Sequence, residues 1–329
     1  MPNHARAAGL TAIALLAGIT AVSFAAPAKA DSYPSRDITF IVPFAPGGGT
    51  DPIGRQFAAG LEKALKGSNV DVENKPGGSA TVGISTVVRA RPDGYTIGLG
   101  TNAALVYQPL VNDGLIYKSP DDYEPIVKMV ELPSIIVVKG DARWKNLDEF
   151  LAEAKANPGK MRASVSGLGT IVEMVLQQLN KAADVKITPV PFTGGGGEGL
   201  VAVLGGRVEA NVTSGAAGVA GQVAAGEVRV LAVAQKGKYE PFPDATPMGD
   251  NYGVTLPYAT YVLAPKGLPA DVKAKLVAAS LEVVNSDDFK NFAKTTGMIV
   301  DPKGPEETKQ ELQQYTRTFQ DLKTFMDQK

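Results

Sequence analysis

Cysteine is absent from this 329-residue chain, and histidine occurs once, at His4. Those are the side chains most used for soft metals, thiol chemistry and proton transfer near neutral pH. Without cysteine there are no disulfides, so the cores alone must hold the fold. Once the leader around His4 is removed, no Ser-His-Asp or Cys-His arrangement can be assembled. A GxSxG elbow and an SxxK pair are missing as well. No excess of either charge exists, with 33 Lys and Arg against 34 Asp and Glu. That balance lacks the basic footprint of a nucleic-acid binder. Beyond the first 30 residues no uninterrupted apolar run is long enough for a membrane helix.

Glycine, at 36 residues, is what the chain has in quantity. Three glycine-rich loops each lead toward an expected helix: Pro46-Gly47-Gly48-Gly49-Thr50-Asp51, Ser166-Gly167-Leu168-Gly169-Thr170, and Thr193-Gly194-Gly195-Gly196-Gly197-Glu198-Gly199. A helix N-terminus presents unpaired N–H groups and the positive end of its dipole, and a loop without side chains lets an anion come close. Hydrogen bonds to a charged group contribute roughly 1.5–3 kcal/mol each, so several donors reach the ~8 kcal/mol of micromolar binding without an arginine. The same glycines also serve as plain turns or close-packing devices. Asp51 suits a capping position. Phe44, Tyr107, Phe192, Tyr258 and Tyr261 suit either a cleft wall or a core.

Nucleotide motifs fit poorly. Gly194, Gly196 and Gly199 satisfy GxGxxG, but a run of four glycines does so by chance and no acidic residue follows at the expected distance. The loop at Pro46 lacks the GK[ST] ending of a phosphate loop.

The N-terminus reads as an export leader: His4 and Arg6, an alanine-rich apolar run from Ala7 to Ala26, then Ala28-Lys29-Ala30, with cleavage expected after Ala30. Removal takes away Arg6 and Lys29, leaving 31 of the 33 basic residues against 34 acidic ones, a net charge near −3. No cysteine is available to carry a lipid, so a soluble periplasmic product is expected. Its 299 residues favour two domains.

Hydrophobic patterning gives a β-α-β-α-β rhythm: strand 38–44, helix 50–65, strand 70–74, helix 80–90 and strand 95–99. Strands over 123–130 and 134–138 follow, then helix 147–156, strand 162–165, helix 171–181, strand 186–192, helix 199–204, strand 208–212, helix 219–225 and strand 228–234. A segment at 256–264 and helices over 270–285 and 305–326 finish the chain. Two crossings between lobes are expected, near 130–134 and 255–262.

Several segments in this order resemble one family. They are Ile41-Val42-Pro43-Phe44-Ala45-Pro46-Gly47-Gly48-Gly49-Thr50-Asp51, Val72-Glu73-Asn74-Lys75-Pro76-Gly77-Gly78, Arg91-Pro92-Asp93-Gly94-Tyr95-Thr96, Pro191-Phe192-Thr193-Gly194-Gly195-Gly196, Leu204-Gly205-Gly206-Arg207-Val208-Glu209 and Val230-Leu231-Ala232-Val233. Together they look like the tripartite tricarboxylate transporter substrate-binding proteins, also called the Bug family, across essentially the whole mature chain. The resemblance implies a type II-like periplasmic binding fold of two α/β lobes, joined by two crossover segments around a ligand cleft. With the signal peptide at 1–30, one lobe is expected at 31–131 plus 256–329 and the other at 132–255. The resemblance further implies a small organic carboxylate as ligand, di- or tricarboxylate or aromatic, delivered to a membrane permease with large and small subunits. Neither cofactor nor metal nor catalysis is implied, and a monomer is expected.

Carried over by motif, the ligand-binding residues are Phe44, Ala45, Pro46, Gly47, Gly48, Gly49, Thr50 and Asp51, the facing loop Ser166, Gly167, Gly169 and Thr170, and Thr193, Gly194 and Gly195. Thr101, Asn102, Thr213 and Ser214 join them as strand-end positions. Glu209 stands where Asp is common in the family, Ser164-Val165-Ser166 replaces an aromatic-glycine opening, and Thr213-Ser214-Gly215-Ala216-Ala217 replaces a bulkier segment, which together imply a roomier cleft. A sensor presenting its ligand to a signalling receptor, and a carboxylate-pair hydrolase, are the alternatives.

Overall fold

The computed structural model describes residues 33–46, 50–66, 68–192, 196–216 and 218–328. The expected leader lies outside them, as do Gly47, Gly48 and Gly49 and Thr193, Gly194 and Gly195.

The described chain begins β1 (Ile38–Val42), α1 (Asp51–Leu65), β2 (Val70–Asn74), α2 (Thr81–Arg89) and β3 (Thr96–Thr101). A π-helical turn over Ala103–Tyr107 continues into α3 (Gln108–Val111), followed by β4 (Tyr123–Leu132). Beyond Pro133 come β5 (Ser134–Lys139), α4 (Leu147–Ala156), β6 (Arg162–Val165), α5 (Ile171–Ala182), β7 (Thr188–Pro191), α6 (Gly196–Leu204), β8 (Ala210–Ser214), α7 (Ala220–Ala224), β9 (Val228–Val233), β10 (Thr246–Pro247) and α8 (Met248–Tyr252). The chain closes with β11 (Tyr258–Pro265), α9 (Ala270–Asn285), α10 (Asp287–Thr295), β12 (Ile299–Lys303) and α11 (Pro305–Asp327).

Two six-stranded sheets result, ordered β12-β4-β11-β3-β1-β2 and β10-β9-β5-β8-β6-β7. In the first, β1 pairs in parallel with β2 and β3, while β11 lies antiparallel between β3 and β4. In the second, β6 pairs in parallel with β7 and β8, while β5 lies antiparallel between β8 and β9. Both sheets therefore follow one plan: three parallel strands, then an antiparallel strand that has just arrived from the other lobe. Only Pro133 separates β4 from β5 at the first crossing, and residues 253–257 make the second.

Helical spacing explains how the helices seat on these sheets. Ile53, Phe57, Leu61 and Leu65 of α1 are buried on one side, as the 3.6-residue repeat requires. Asn146 caps α4 by accepting the Glu149 N–H at 2.9 Å, and Ser286 caps α10 through the Phe289 N–H at 3.2 Å. Strand β8 begins two residues later than the patterning places it, so Thr213 and Ser214 end the strand instead of following it. The connections that leave the parallel strands of each sheet enter helices at their carboxyl ends, where α/β proteins bind ligands.

Candidate functional site

A cleft of about 470 Å³ opens between the lobes, within the ~300–1,000 Å³ usual for small-molecule sites. The first lobe and the crossings contribute Phe44, Thr50, Ile53, Ser79, Thr101, Ala103, Gln108, Leu132 and Tyr258. From the second come Ser166, Gly169, Thr170, Ile171, Val172, Thr213 and Ser214. The N-termini of α1 and α5 thus meet the cleft from opposite sides, and Ser79 brings in the turn that starts α2.

Three side chains behind the wall fix the first loop. Asn74 Nδ2 donates to the Phe44 carbonyl at 2.9 Å and to Asp51 Oδ1 at 2.7 Å. Arg55 donates to Asp51 Oδ2 at 2.9 Å and to Asn74 Oδ1 at 2.8 Å. The end of β2 thereby ties the exit of β1 to the first turn of α1. In front of this brace, the hydroxyls of Thr50 and Tyr258 hydrogen-bond at 2.8 Å. One hydroxyl hydrogen is spent between them and one remains available. Burial pushes the Tyr258 phenol well above its ordinary pKa against the opposing hydrogen bond from Thr50, so it stays a neutral donor.

Across the cleft, the loop before α5 is organised by its own capping. Thr170 Oγ1 donates to the Gly167 carbonyl at 2.7 Å, and the Glu173 carboxylate reaches back to the Gly169 N–H, a variant of the capping box. Gly169 has φ +73°, and a Cβ there would stand 3.1 Å from the Tyr107 ring, so a larger residue is opposed by backbone and neighbour alike. At the first turn of α5, Ile171 and Val172 both line the cleft, and first-turn amides have no acceptor within their own helix.

No lining residue among those described carries a charge. The side chains of Ser79, Gln108, Ser166 and Thr213 make no hydrogen bond among the described residues, which leaves them free to meet a ligand. The site can accordingly hold an anion through amides and hydroxyls, and its described lining contains no carboxylate, histidine, lysine or arginine.

Phe44, Thr50, Thr101, Ser166, Gly169, Thr170, Thr213 and Ser214, all expected from the sequence, are brought together here. Others expected at the site do not line it. Asp51, 3 % exposed, is the brace just described. Asn102 is fully buried and turned to the second crossing, donating to the Pro257 carbonyl at 2.8 Å and accepting the Ala259 N–H at 3.3 Å. Ala45 and Pro46 are exposed and absent from the lining, and Gly167 contributes its carbonyl to the cap. Gly47, Gly48, Gly49, Thr193, Gly194 and Gly195 fall outside the described residues. Of the open aromatic positions, Tyr258 is a wall, Tyr107 packs behind Gly169, and Tyr261 is buried with its hydroxyl 2.8 Å from Glu311.

Sequence reasoning did not place Ser79, Ile53, Ala103, Gln108, Leu132, Ile171 or Val172 at the site. A signal existed for Ser79, which follows two glycines and precedes a helix. It sits at φ 54°, and Ala80 after it at φ 77°, so this turn holds two non-glycine residues in left-handed backbone beside the cleft.

Elsewhere, Glu131, Asp301 and Glu311 offer carboxylate oxygens within 4.8 Å of one another. The ammonium of Lys128, a fully buried side chain, lies among them, 2.6 Å from Asp301 and 2.9 Å from Glu311. A protein cation therefore already occupies the position a metal would take. No helix among the described residues is long and apolar enough to cross a membrane.

Comparison with known proteins gives these features a context. The model of the tripartite tricarboxylate transporter family receptor, TctC, matches residues 53–324. A UPF0065 protein of Bordetella pertussis is 33% identical over 293 residues, which cover 88% of each chain. The crystal structure of a TctC solute-binding protein from Polaromonas, without ligand, superposes with a TM-score of 0.76 at 28% identity, covering 89% of this chain and 99% of that one. MatC from Rhodopseudomonas palustris, with bound malate, gives 0.73 at 25% identity over 88% and 99%. The two mixed-sheet lobes are those of a type II periplasmic binding protein. With a family model matching 53–324, most of both lobes, the chain belongs to the tripartite tricarboxylate transporter family of solute-binding receptors, which bind and do not catalyse.

Proposed function

We propose that the protein is an exported receptor that captures a small organic carboxylate in the cleft between its lobes and hands it to a membrane permease with large and small subunits. The observation that carries this reading is the convergence of helix N-termini and hydroxyl donors from both lobes on one cleft whose described lining carries no charge. Such donors recognise an anion without neutralising it, which suits capture followed by release. The malate bound by MatC supports a carboxylate, and the transporter family supports the permease as recipient.

Thermal denaturation against a panel of carboxylates and their neutral amides tests the anion. At 100 times its dissociation constant a ligand adds about 2.7 kcal/mol, or roughly 5–10 °C in melting temperature at the scale of somewhat smaller chains. Carboxylates are expected to give that shift and their amides none. An equal shift from an equally tight amide would end the anion reading.

A further inference from the structure

We propose that this cleft selects a carboxylate with one charged end and an apolar body, an arylalkanoate or a medium-chain alkanoate, over di- and tricarboxylates. The inference rests on the carboxylate reading above and narrows it.

The first observation is electrostatic. No described lining residue is charged, and by sequence the segments 47–49 and 193–195 contain no ionisable side chain. The charged side chains immediately next in sequence to lining residues are Asp51, Glu131 and Glu173, all acidic. Asp51 and Glu131 are paired with Arg55 and Lys128, so their charges are offset and these two cations are engaged, while no described lining residue supplies another. Glu173 is turned toward the cleft loop by its bond to the Gly169 N–H, which spends one of that loop's donors on a carboxylate of the protein itself.

One ligand carboxylate can be met by helix-end amides and hydroxyls. A second would lose its water with no cation to replace it and with Glu173 near the loop.

The second observation is the rest of the wall. Phe44, Ile53, Leu132, Ile171 and Val172, with the Tyr258 ring, make an apolar surface that a dicarboxylate would leave unused. Thr213 and Ser214 present only short side chains to this side of the cleft, and Gly215 after them, at φ +76°, packs so close to Leu132 that a Cβ on it would come 3.0 Å from that side chain. An apolar body seated there gains about 0.8 kcal/mol per buried methylene, close to a fourfold gain in affinity for each.

Titration calorimetry on the purified protein tests this with 3-phenylpropanoate, octanoate, hexanoate, succinate, adipate, citrate and 3-phenylpropanamide. The expected result is that the phenyl acid or octanoate binds at least about tenfold more tightly than any di- or tricarboxylate, with affinity rising by up to about fifteenfold from hexanoate to octanoate. Succinate, adipate or citrate binding as tightly as the monocarboxylates would overturn the proposal and leave the carboxylate reading standing. Failure of every monocarboxylate to bind at millimolar concentration would also overturn it. Phenylpropanamide binding as tightly as its acid would remove the carboxylate reading and the proposal together.

Discussion

Glu173 stands where the chemistry of the cleft and the stability of the fold meet. Burial pushes its carboxyl above the ordinary range, with the hydrogen bond from the Gly169 amide working against the shift. An acid whose folded pKa is raised favours the fold while protonated, and that contribution is lost as pH rises through the folded value. At neutral pH the charge is thus a burden carried for the sake of the cap. Glu173→Gln keeps an acceptor for the Gly169 N–H and removes the charge. The variant is expected to be at least as stable as the parent at pH 7, with any gain fading as pH falls toward the ordinary carboxylate range. Carboxylate affinity should rise by on the order of 1 kcal/mol, about fivefold, because a like charge near the ligand is gone. Melting curves across pH and calorimetry check both parts, and a lower melting temperature at pH 7 would mean that the charge itself is needed at the helix end.

The same residues show what could be read in advance. Thr50, Ser166 and Thr170 were visible because hydroxyls beside glycine before a helix have few other reasons to occur together. Ile53, Ile171 and Val172 were not, since each continues the buried stripe of its helix and only the placement of that helix decides whether the stripe ends in a core or a cleft. Ser79 was hidden for a different reason. Lys75-Pro76-Gly77-Gly78 is a complete turn signal without it, so a hydroxyl placed after two glycines and before a helix is overshadowed there, and the left-handed backbone of Ser79 adds the second mark.

At the scale of elements, helices α4 and α9 and strand β6 fall where their patterns place them, while α10 and β12 escaped. Helix α10 buries only Phe289 and Ala293, too few positions to establish a period, and starts beside the end of α9. Strand β12 contains Pro302, which a sheet tolerates at an edge, and an edge is where it lies. Its reason to be there is ionic. Asp301 and Lys303 of β12 join Lys128 and Glu131 of β4 and Glu311 of α11 in one network that anchors the sheet edge just before the first crossing. Burial acts to raise the Asp301 pKa, but hydrogen bonds from Lys128 and Lys303 outweigh it and hold it below the usual range. Lys128→Met would leave three clustered carboxylates with Lys303 as their one remaining cationic partner among the described residues, and breaking a buried pair in this way costs about 3–5 kcal/mol. Melting temperature at pH 7 should fall by roughly 6 °C or more. A depressed carboxyl contributes stability above its unfolded pKa, about 3.9 for Asp, and loses it as pH falls through the folded value. The deficit of the variant should therefore be greatest at neutral pH and shrink below about pH 4. A deficit independent of pH would assign the loss to packing and not to charge.

For the molecule as a whole, the question is how two lobes that share a cleft can also share a core. One hydrophobic cluster runs from Ile41 and Ile84 of the first lobe through Phe319 and Leu322 of α11 to Met174 and Leu179 of the second. Helix α11 follows β12 of the first lobe yet packs against α5, and Tyr239 of the second lobe donates to the Gly297 carbonyl of the first at 2.6 Å. The lobes are joined along this side as well as through Pro133 and residues 253–257, so a change in cleft width must pivot about these joins. A ligand touching the loop at Thr50 and the loop at Thr170 together makes more contacts when those loops approach, and this difference in affinity is what shifts the population toward closure. Saturating carboxylate is expected to lower the radius of gyration in solution scattering. It should also slow amide exchange at residues 50, 51 and 53 and at 169–172, with little change along β4 and β11. Slower exchange at those loops with an unchanged radius would mean that the cleft is already set at its binding width and that ligand orders the loops without moving the lobes. A smaller radius accompanied by faster exchange along α11 would place the pivot in that helix instead of at the crossings.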